Sequence, residues 1–301
     1  MRVLLNFFLC CALGGVASAK PAIINDSQII RNFQKKAGAF AEAGEAISVQ
    51  ELQNGLKSPT GLSELDQVEA PEQVLDSVFV VGAVYDCGKC DQWHPSGLAT
   101  AWVMASDGIL CTNHHVIKSF KGEAMAVASW KGEVYPVTEI LLADEANDFA
   151  VIRVDAEGLV PLPIASEAAQ VGEEIFCLSH PQQRFFHRTF GEVARYHYKR
   201  AKGPKVAQMS ITADYAKGSS GGPILNLDNE VVGMVSTTNS VYAKATGKQT
   251  RDNLQMVFKS CVPGFVMQEL LDEGVAEAAE AFAAAEAVEA VRAVETEEEK
   301  S

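Results

Sequence analysis

The sequence predicts an all-β domain with short helical extensions at both ends. Short apolar runs recur after Ser77, turn residues separate them at regular spacing, and no long helical pattern interrupts them. Many short strands in this arrangement are typical of a β-sandwich or β-barrel. The predicted strands cover residues 78–81, 101–104, 109–111, 125–128, 134–137, 149–152, 174–178, 223–226 and 231–235.

The first 19 residues have the organisation of a secretory signal peptide. Arg2 precedes an apolar stretch, and the segment ends in small residues that predict cleavage after Ala19. The stretch is shorter than the roughly 20 residues that a membrane-spanning helix needs, and Asn6 interrupts it. We therefore expect a secreted or periplasmic protein that has no membrane contact after cleavage.

Residues 20–70 are predicted to form one or two short helices and a linker. Ile29, Ile30 and Phe33 have helix-like spacing. Gly55, Pro59 and Gly61 are residues typical of turns and loops and indicate breaks further along the segment. The segment could pack on the domain, act as a pro-segment or serve as a spacer, and its sequence does not choose between these roles.

Residues 265–301 are predicted to form a helical, acidic tail. Residues 269–301 contain eleven acidic side chains against two basic ones, so much of the formal charge of −14 lies here. The apolar stripe is weak, which favours a solvated helix over one that binds a partner. We expect no nucleic-acid partner, because the chain lacks the basic surface that such binding requires.

The most basic stretch is residues 184–205, and His180, His187 and His197 lie in or near it. Its basic side chains include Arg184, Arg188, Arg195, Lys199, Arg200 and Lys202. A solvated loop and strand edge is the expectation for such a run. It could instead steer acidic substrates or bind the acidic tail.

A glycine-rich turn, residues 217–223 with the sequence KGSSGGP, contains a candidate nucleophile, Ser220. Its glycines allow a tight backbone in which the N–H groups of Gly218 and Ser220 form an oxyanion hole. A serine nucleophile needs a base, and that base needs a carboxylate to hold one tautomer. His115 in the segment TNHHV and Asp148 in NDFAV are the candidates, each at the edge of a predicted strand.

These motifs resemble those of trypsin-like serine endopeptidases of the HtrA/Deg type. The resemblance covers about residues 77–274 and rests on segments 105–117, 144–152, 159–164, 171–173, 218–226 and 231–233. The family's patterns select three residues over their neighbours: His115 rather than His114, Asp148 rather than Asp144, and Ser220 rather than Ser219.

The resemblance implies a chymotrypsin-like double β-barrel in a protease domain at residues 71–264. It also implies hydrolysis of protein or peptide substrates through an acyl-enzyme, with no cofactor and no metal at the catalytic site. The oligomeric state is left open. The alternative is a non-catalytic, chaperone-like or protein-binding module on the same fold, against which the complete set of three residues argues.

The chain also departs from the family pattern. Only 37 residues follow Gly264, too few for the PDZ domain that Deg-type enzymes usually carry. The approach to the nucleophile, residues 212–217, is one residue shorter than usual. In digestive trypsins, an aspartate at the position of Ser219 pairs with a newly cut N-terminus. Activation by such a cut is therefore not expected here.

Asp214 is a candidate for the substrate pocket. It lies six residues before Ser220, the offset at which trypsins place the acid that recognises lysine or arginine. A buried carboxylate there would select a basic substrate residue, because a buried charge left unpaired is costly. Alternatively, Asp214 stabilises the loop that contains it.

The five cysteines beyond the signal are an odd number, so at least one is free or pairs between chains. Cys87, Cys90 and His94 admit a local disulfide, a zinc site with a remote fourth ligand, or free thiols. Cys111 and Cys177 fall in apolar runs and are expected in the core. A catalytic role for Cys111 is conceivable, but no oxyanion turn lies beside it.

Overall fold

Two closed six-stranded barrels make up most of the structure. The computed structural model describes residues 21–57, 59–199, 205–243 and 253–298. The predicted signal peptide, residues 1–19 with cleavage after Ala19, lies outside the described residues, as does part of the basic stretch, residues 200–204. The prediction of an all-β, chymotrypsin-like double β-barrel is confirmed.

The first barrel has the strand order β1-β2-β3-β6-β5-β4 and closes where Val80 of β1 pairs with Ala128 of β4. Alternate residues point inward, so the apolar runs of the sequence fill its interior. Val103, Leu110 and Ile152 are fully buried there. Its strands are β1 (Val78–Asp86), β2 (Trp93–Ala105), β3 (Ile109–Thr112), β4 (Ala124–Ala128), β5 (Val134–Asp144) and β6 (Phe149–Val154).

The second barrel has the order β10-β11-β12-β9-β8-β7. The apolar pattern did not predict β8, β9 or β12. In β8, Val193 is the one buried residue, and even the aromatic side chains of Phe190 and Tyr198 are exposed. The strands are β7 (Glu174–Ser179), β8 (His187–Tyr198), β9 (Ala207–Ile211), β10 (Pro223–Leu225), β11 (Val231–Tyr242) and β12 (Leu254–Pro263).

Two helices precede the barrels, α1 (Asp26–Ala43) and α2 (Val49–Gly55). The Asn25 side chain accepts a hydrogen bond from the Gln28 N–H and caps the start of α1, and Gly44 ends it in a left-handed conformation with φ of 69°. Ile29, Phe33 and Ala37 lie four residues apart and are buried, so α1 packs on the first barrel through one face. With 18 residues, α1 is longer than the short helix expected.

Two further α-helices are α3 (His114–Ser119) and α4 (Gly264–Glu298), and short 3-10 helices cover Val74–Ser77 and Pro181–Gln183. The six-residue α3 follows β3 directly, a short helix that the sequence pattern did not indicate. The first turns of α4 bury Val266, Met267 and Leu271, and this helix contacts β11 and β12. None of the described helices has the length and apolar character needed to cross a membrane.

Candidate active site

His115, Asp148 and Ser220 meet at the junction of the two barrels. His115 Nε2 lies 3.1 Å from Ser220 Oγ. His115 Nδ1 lies 2.8 Å from Asp148 Oδ2 and 2.9 Å from Asp148 Oδ1. The structure therefore brings together the three residues that the sequence singled out, with the imidazole between a hydroxyl and a carboxylate.

His115 is held from both its backbone and its ring. It is in the first turn of α3, and its backbone N–H donates a 3.0 Å hydrogen bond to Asp148 Oδ1. Asn113, two residues before His115, donates a 2.9 Å hydrogen bond from Nδ2 to the Asp148 carbonyl. The His115 side chain is 45% exposed and that of Asp148 only 14%, so a substrate can reach the imidazole while the carboxylate is shielded.

Asp148 has an unusual backbone conformation. Its φ of 61° lies in the left-handed region, which a residue other than glycine rarely adopts. In β11, Ser236 donates a 2.6 Å hydrogen bond from its hydroxyl to Asp148 Oδ2. Strain of this kind persists where neighbouring contacts fix the conformation, and here the contacts come from Asn113, His115 and Ser236.

The turn that contains Ser220 requires glycine at two positions. Gly218 has φ of 98°, and a Cβ there would lie 2.5 Å from the His180 carbonyl oxygen. Gly221 has φ of 82°, and a Cβ there would lie 2.1 Å from the Thr100 carbonyl oxygen. Both positions thus demand a positive φ and close backbone approach, which only glycine combines without strain.

Thr100 of β2 ties this turn to the first barrel. Its N–H donates to the Ser220 carbonyl at 2.9 Å, and its hydroxyl donates to the Gly218 carbonyl at 3.0 Å. The carbonyl groups on both sides of Ser219 are therefore held, which fixes the orientation of the peptide groups in the turn.

Two N–H groups of the turn remain available. Neighbouring N–H groups are bonded within the protein: Ser219 to the Ala216 carbonyl, and Gly221 to the Val235 carbonyl. Within the part of the chain that the structure describes, the N–H groups of Gly218 and Ser220 have no protein acceptor. An oxyanion hole needs donors that are free in this way.

Ser219, the neighbouring serine, is fully buried. Its hydroxyl accepts a 2.9 Å hydrogen bond from the hydroxyl of Ser179. The Ser219 side chain therefore faces the interior of the second barrel, whereas Ser220 faces His115.

His180 lies behind the turn and is 1% exposed. Its Nδ1 accepts a 3.0 Å hydrogen bond from the Phe186 N–H. Burial lowers the pKa of His180 to about 4, because desolvation penalises the charged imidazolium. The next part of this loop also contacts the turn, since the Gln182 N–H donates to the Lys217 carbonyl at 2.8 Å.

Asp214 is not in the buried position that recognition of a basic residue would require. Its side chain is 86% exposed, and Oδ1 lies 2.7 Å from Nζ of Lys259, whose side chain is only 10% exposed. Of the two roles considered for Asp214, the structure does not show the pocket carboxylate, because Asp214 is exposed and neutralises a lysine of β12. Its carbonyl also accepts a 2.6 Å hydrogen bond from the Thr189 hydroxyl, so Asp214 stabilises its own loop.

The buried cysteines are core residues. Cys111 is fully buried, and burial alone raises the pKa of its thiol well above the usual range. Burial also raises the pKa of Cys177 to about 12. Because the thiolate is the reactive form, Cys111 is unsuited to act as a nucleophile.

The sequence reasoning missed Ser236 and Thr100, which position the site without belonging to its motifs. Ser236 directly follows the apolar run 231–235, and Thr100 directly precedes the run 101–104. Both are buried polar residues in strands. A polar residue that borders a buried strand was the one signal available, and it is too common to have identified them.

Comparison with known proteins agrees with this geometry. A trypsin-like peptidase domain matches residues 99–234. The chain is 29% identical over 228 residues to a probable periplasmic serine endoprotease, DegP-like, of Pseudomonas fulva, which covers 73% of this chain and 42% of that protein. It is 28% identical over 149 residues to serine protease HTRA1 of Xenopus laevis, covering 46% of this chain and 31% of the relative.

A further relative is the serine endoprotease DegS of Haemophilus influenzae, which is 22% identical over 188 residues, or 61% of this chain and 53% of that protein. The chain thus spans about a third to a half of the length of these relatives.

Proposed function

We propose that this chain, which carries a trypsin-like peptidase domain of the HtrA type, is a serine endopeptidase acting on protein or peptide substrates. One observation carries the proposal: His115 Nε2 lies 3.1 Å from Ser220 Oγ while its Nδ1 lies 2.8 Å from Asp148 Oδ2. A hydroxyl, an imidazole and a carboxylate in this order form the arrangement that activates a serine.

In the proposed mechanism, Ser220 Oγ attacks the carbonyl carbon of the scissile peptide bond as His115 Nε2 accepts the hydroxyl proton. Asp148 accepts the hydrogen bond from His115 Nδ1–H and stabilises the imidazolium. The N–H groups of Gly218 and Ser220 bind the oxyanion of the tetrahedral intermediate. His115 then protonates the leaving amine, which breaks the C–N bond and leaves an acyl group on Ser220.

Water completes the cycle. His115 accepts a proton from water, whose oxygen attacks the acyl carbon and forms a second tetrahedral intermediate. Its collapse releases the carboxylic acid product and returns the proton to Ser220 Oγ. These steps need no cofactor.

We further propose that the protein acts outside the cytoplasm, in the periplasm or after secretion. The signal-like residues 1–19 support this location. The relative from Pseudomonas fulva is itself described as periplasmic.

The test is labelling of the purified chain with a fluorophosphonate probe, which reacts with an activated serine. We expect stoichiometric labelling of the parent, with the label mapped by peptide mass spectrometry to Ser220, and no labelling of Ser220→Ala. Ser240→Ala is the matched control, because Ser240 is an exposed serine of β11 and should label like the parent. A folded parent that is not labelled would point to the non-catalytic binding module instead.

A further inference from the structure

Three metal-binding side chains converge at the tip of the β1–β2 hairpin. Cys87 Sγ lies 3.4 Å from Cys90 Sγ, and Cys90 Sγ lies 3.2 Å from His94 Nε2. The three ligand atoms all lie within 4.8 Å of one another. The proposed peptidase mechanism uses none of them.

We propose that Cys87, Cys90 and His94 bind one thiophilic divalent cation of the zinc type, with the fourth coordination position open to solvent. Thiolate sulfur and imidazole nitrogen are the ligands that zinc prefers. With Zn–S bonds of about 2.3 Å and Zn–N bonds of about 2.0 Å, neighbouring ligand atoms of a tetrahedral site lie about 3.5–3.8 Å apart. The two contacts of Cys90 Sγ, 3.4 Å to Cys87 Sγ and 3.2 Å to His94 Nε2, need only small shifts to reach these values.

The backbone positions the three ligands. Gly88 has φ of 64° and its N–H donates a 2.8 Å hydrogen bond to Asp86 Oδ1, which fixes the backbone on both sides of Cys87. His94 pairs with Tyr85 across the hairpin, with ring centroids 5.5 Å apart. This pairing holds the imidazole on the side of the hairpin that carries the two thiols.

Coordination accounts for His94 better than a disulfide does. A disulfide would join the sulfur atoms at about 2.0 Å and would involve only the two cysteines. It would give no role to the 3.2 Å approach of His94 Nε2 to Cys90 Sγ. Each of the three side chains is at least partly exposed, so a cation can enter and a water molecule can complete the coordination.

The site would secure a region on which α1 packs. Trp93, next to His94, donates from Nε1 to Glu42 Oε1 at 2.9 Å, and its carbonyl accepts a 2.9 Å hydrogen bond from Gln34 Nε2. A Cβ at Gly38 of α1 would lie 2.1 Å from the Trp93 ring, which shows how closely helix and strand approach. A bound cation would therefore stabilise the hairpin tip and the docking of α1.

The first experiment measures zinc by mass spectrometry in the exported protein, purified without chelator, and maps its disulfides. We expect one zinc per chain and free Cys87 and Cys90 thiols. The variants Cys87→Ser, Cys90→Ser and His94→Gln should lose it, while His187→Gln, a change at an exposed histidine outside the cluster, should retain it. A Cys87–Cys90 disulfide with no bound metal, or zinc retained in all three variants, would overturn the proposal.

Cobalt provides the second readout. Added to the reduced, metal-free chain, one equivalent of Co²⁺ should give thiolate-to-metal charge-transfer bands that Zn²⁺ abolishes. His94→Gln should weaken the apparent affinity by more than about tenfold, since loss of even an outer partner of a ligand costs about 10- to 100-fold. Zinc should also raise the Tm of the parent but not of Cys90→Ser. The absence of charge-transfer bands in the folded, reduced parent would contradict the site independently of any peptidase activity.

Discussion

Ser236 donates a 2.6 Å hydrogen bond to Asp148 Oδ2, which links the two barrels. Asp148 directly precedes β6 of the first barrel, and Ser236 is in β11 of the second. The Ser236 carbonyl also lies 3.4 Å from Ser220 Oγ. One residue therefore contacts both the carboxylate and the nucleophile of the proposed site.

Replacing Ser236 by alanine should lower kcat/KM for a peptide substrate by about 10- to 100-fold. The reason is that a hydrogen bond to a charged group contributes about 1.5–3 kcal/mol, and without it Asp148 is less well oriented toward His115. Steady-state kinetics, with circular dichroism to verify folding, make the measurement. Ser236→Thr keeps a hydroxyl and should recover much of the activity, whereas an Ser236→Ala enzyme within twofold of the parent would contradict the role.

Gly218→Ala should reduce kcat by about 100- to 1,000-fold, the usual cost of losing one oxyanion donor. A Cβ at this position would lie 2.5 Å from the His180 carbonyl oxygen at a φ of 98°, so the peptide group must move. Kinetics of the folded variant test this expectation.

Gly172→Ala is the matched control for Gly218→Ala. Gly172 has a similar φ of 90°, but a Cβ there meets nothing within 4 Å. This variant should lose about 1 kcal/mol of stability from backbone strain and keep its activity. Equal losses of kcat in both variants would show that strain alone, rather than the oxyanion hole, explains the effect.

The sequence predicted nine of the twelve strands that the structure describes, each from a run of buried apolar residues, and it missed β8, β9 and β12. The runs at 149–152 and 174–178 correspond to β6 and β7, which lie in the two cores. By contrast, β8 buries only Val193, so its twelve residues contain no apolar alternation to detect. Strand pairing with β7 and β9 determines β8, and such nonlocal hydrogen bonds leave no local pattern.

The same limit applies to the candidate site. The tight turn that contains Gly218 and Ser220 was predictable because its backbone demands glycine at fixed positions. The ion pair of Asp214 was not predictable, since sequence offset alone does not show that Lys259, 45 residues further on, supplies its counter-ion. Ion pairs between distant segments depend on the folded geometry, which a single sequence does not reveal.

We expect the proposed peptidase to show no preference for cleavage after lysine or arginine, because Lys259 already neutralises Asp214. Digestion of a mixed peptide library by the parent and by Asp214→Asn should give the same distribution of cleaved residues. A preference for basic residues in the parent that disappears in the variant would restore Asp214 to the substrate pocket.

Asp214→Asn should instead affect stability. It leaves the Lys259 ammonium, whose side chain is 10% exposed, without its carboxylate partner. We expect the free energy of unfolding to fall by about 1–3 kcal/mol, less than the about 3–5 kcal/mol for a fully buried pair, because Asp214 itself is exposed. Urea denaturation measures the change, and adding Lys259→Met should recover most of it; an unchanged free energy of unfolding in the single variant would refute this account of the pair.

His180 should make the protein less stable as the pH falls from 6.5 to about 4. In the unfolded chain its imidazole takes up a proton near the ordinary pKa of 6.5, while burial lowers the folded-state pKa to about 4. Between these values the unfolded state binds more protons, so acidification favours it. Above pH 6.5 both states are neutral at this residue and the effect vanishes. Integrated over the window, His180 should lower the free energy of unfolding by about 3 kcal/mol.

The variant His180→Asn isolates this contribution, because asparagine does not titrate and its Oδ1 can accept the Phe186 N–H that Nδ1 accepts in the parent. Urea denaturation between pH 4 and pH 7.5 measures the free energy of unfolding of both proteins. As the pH falls, this free energy should decrease less in His180→Asn than in the parent, even if the two proteins differ in stability at neutral pH. His187→Asn, a change at an exposed histidine, should follow the parent's slope. If the stability of His180→Asn falls as steeply as that of the parent, His180 is not the source of the acid sensitivity.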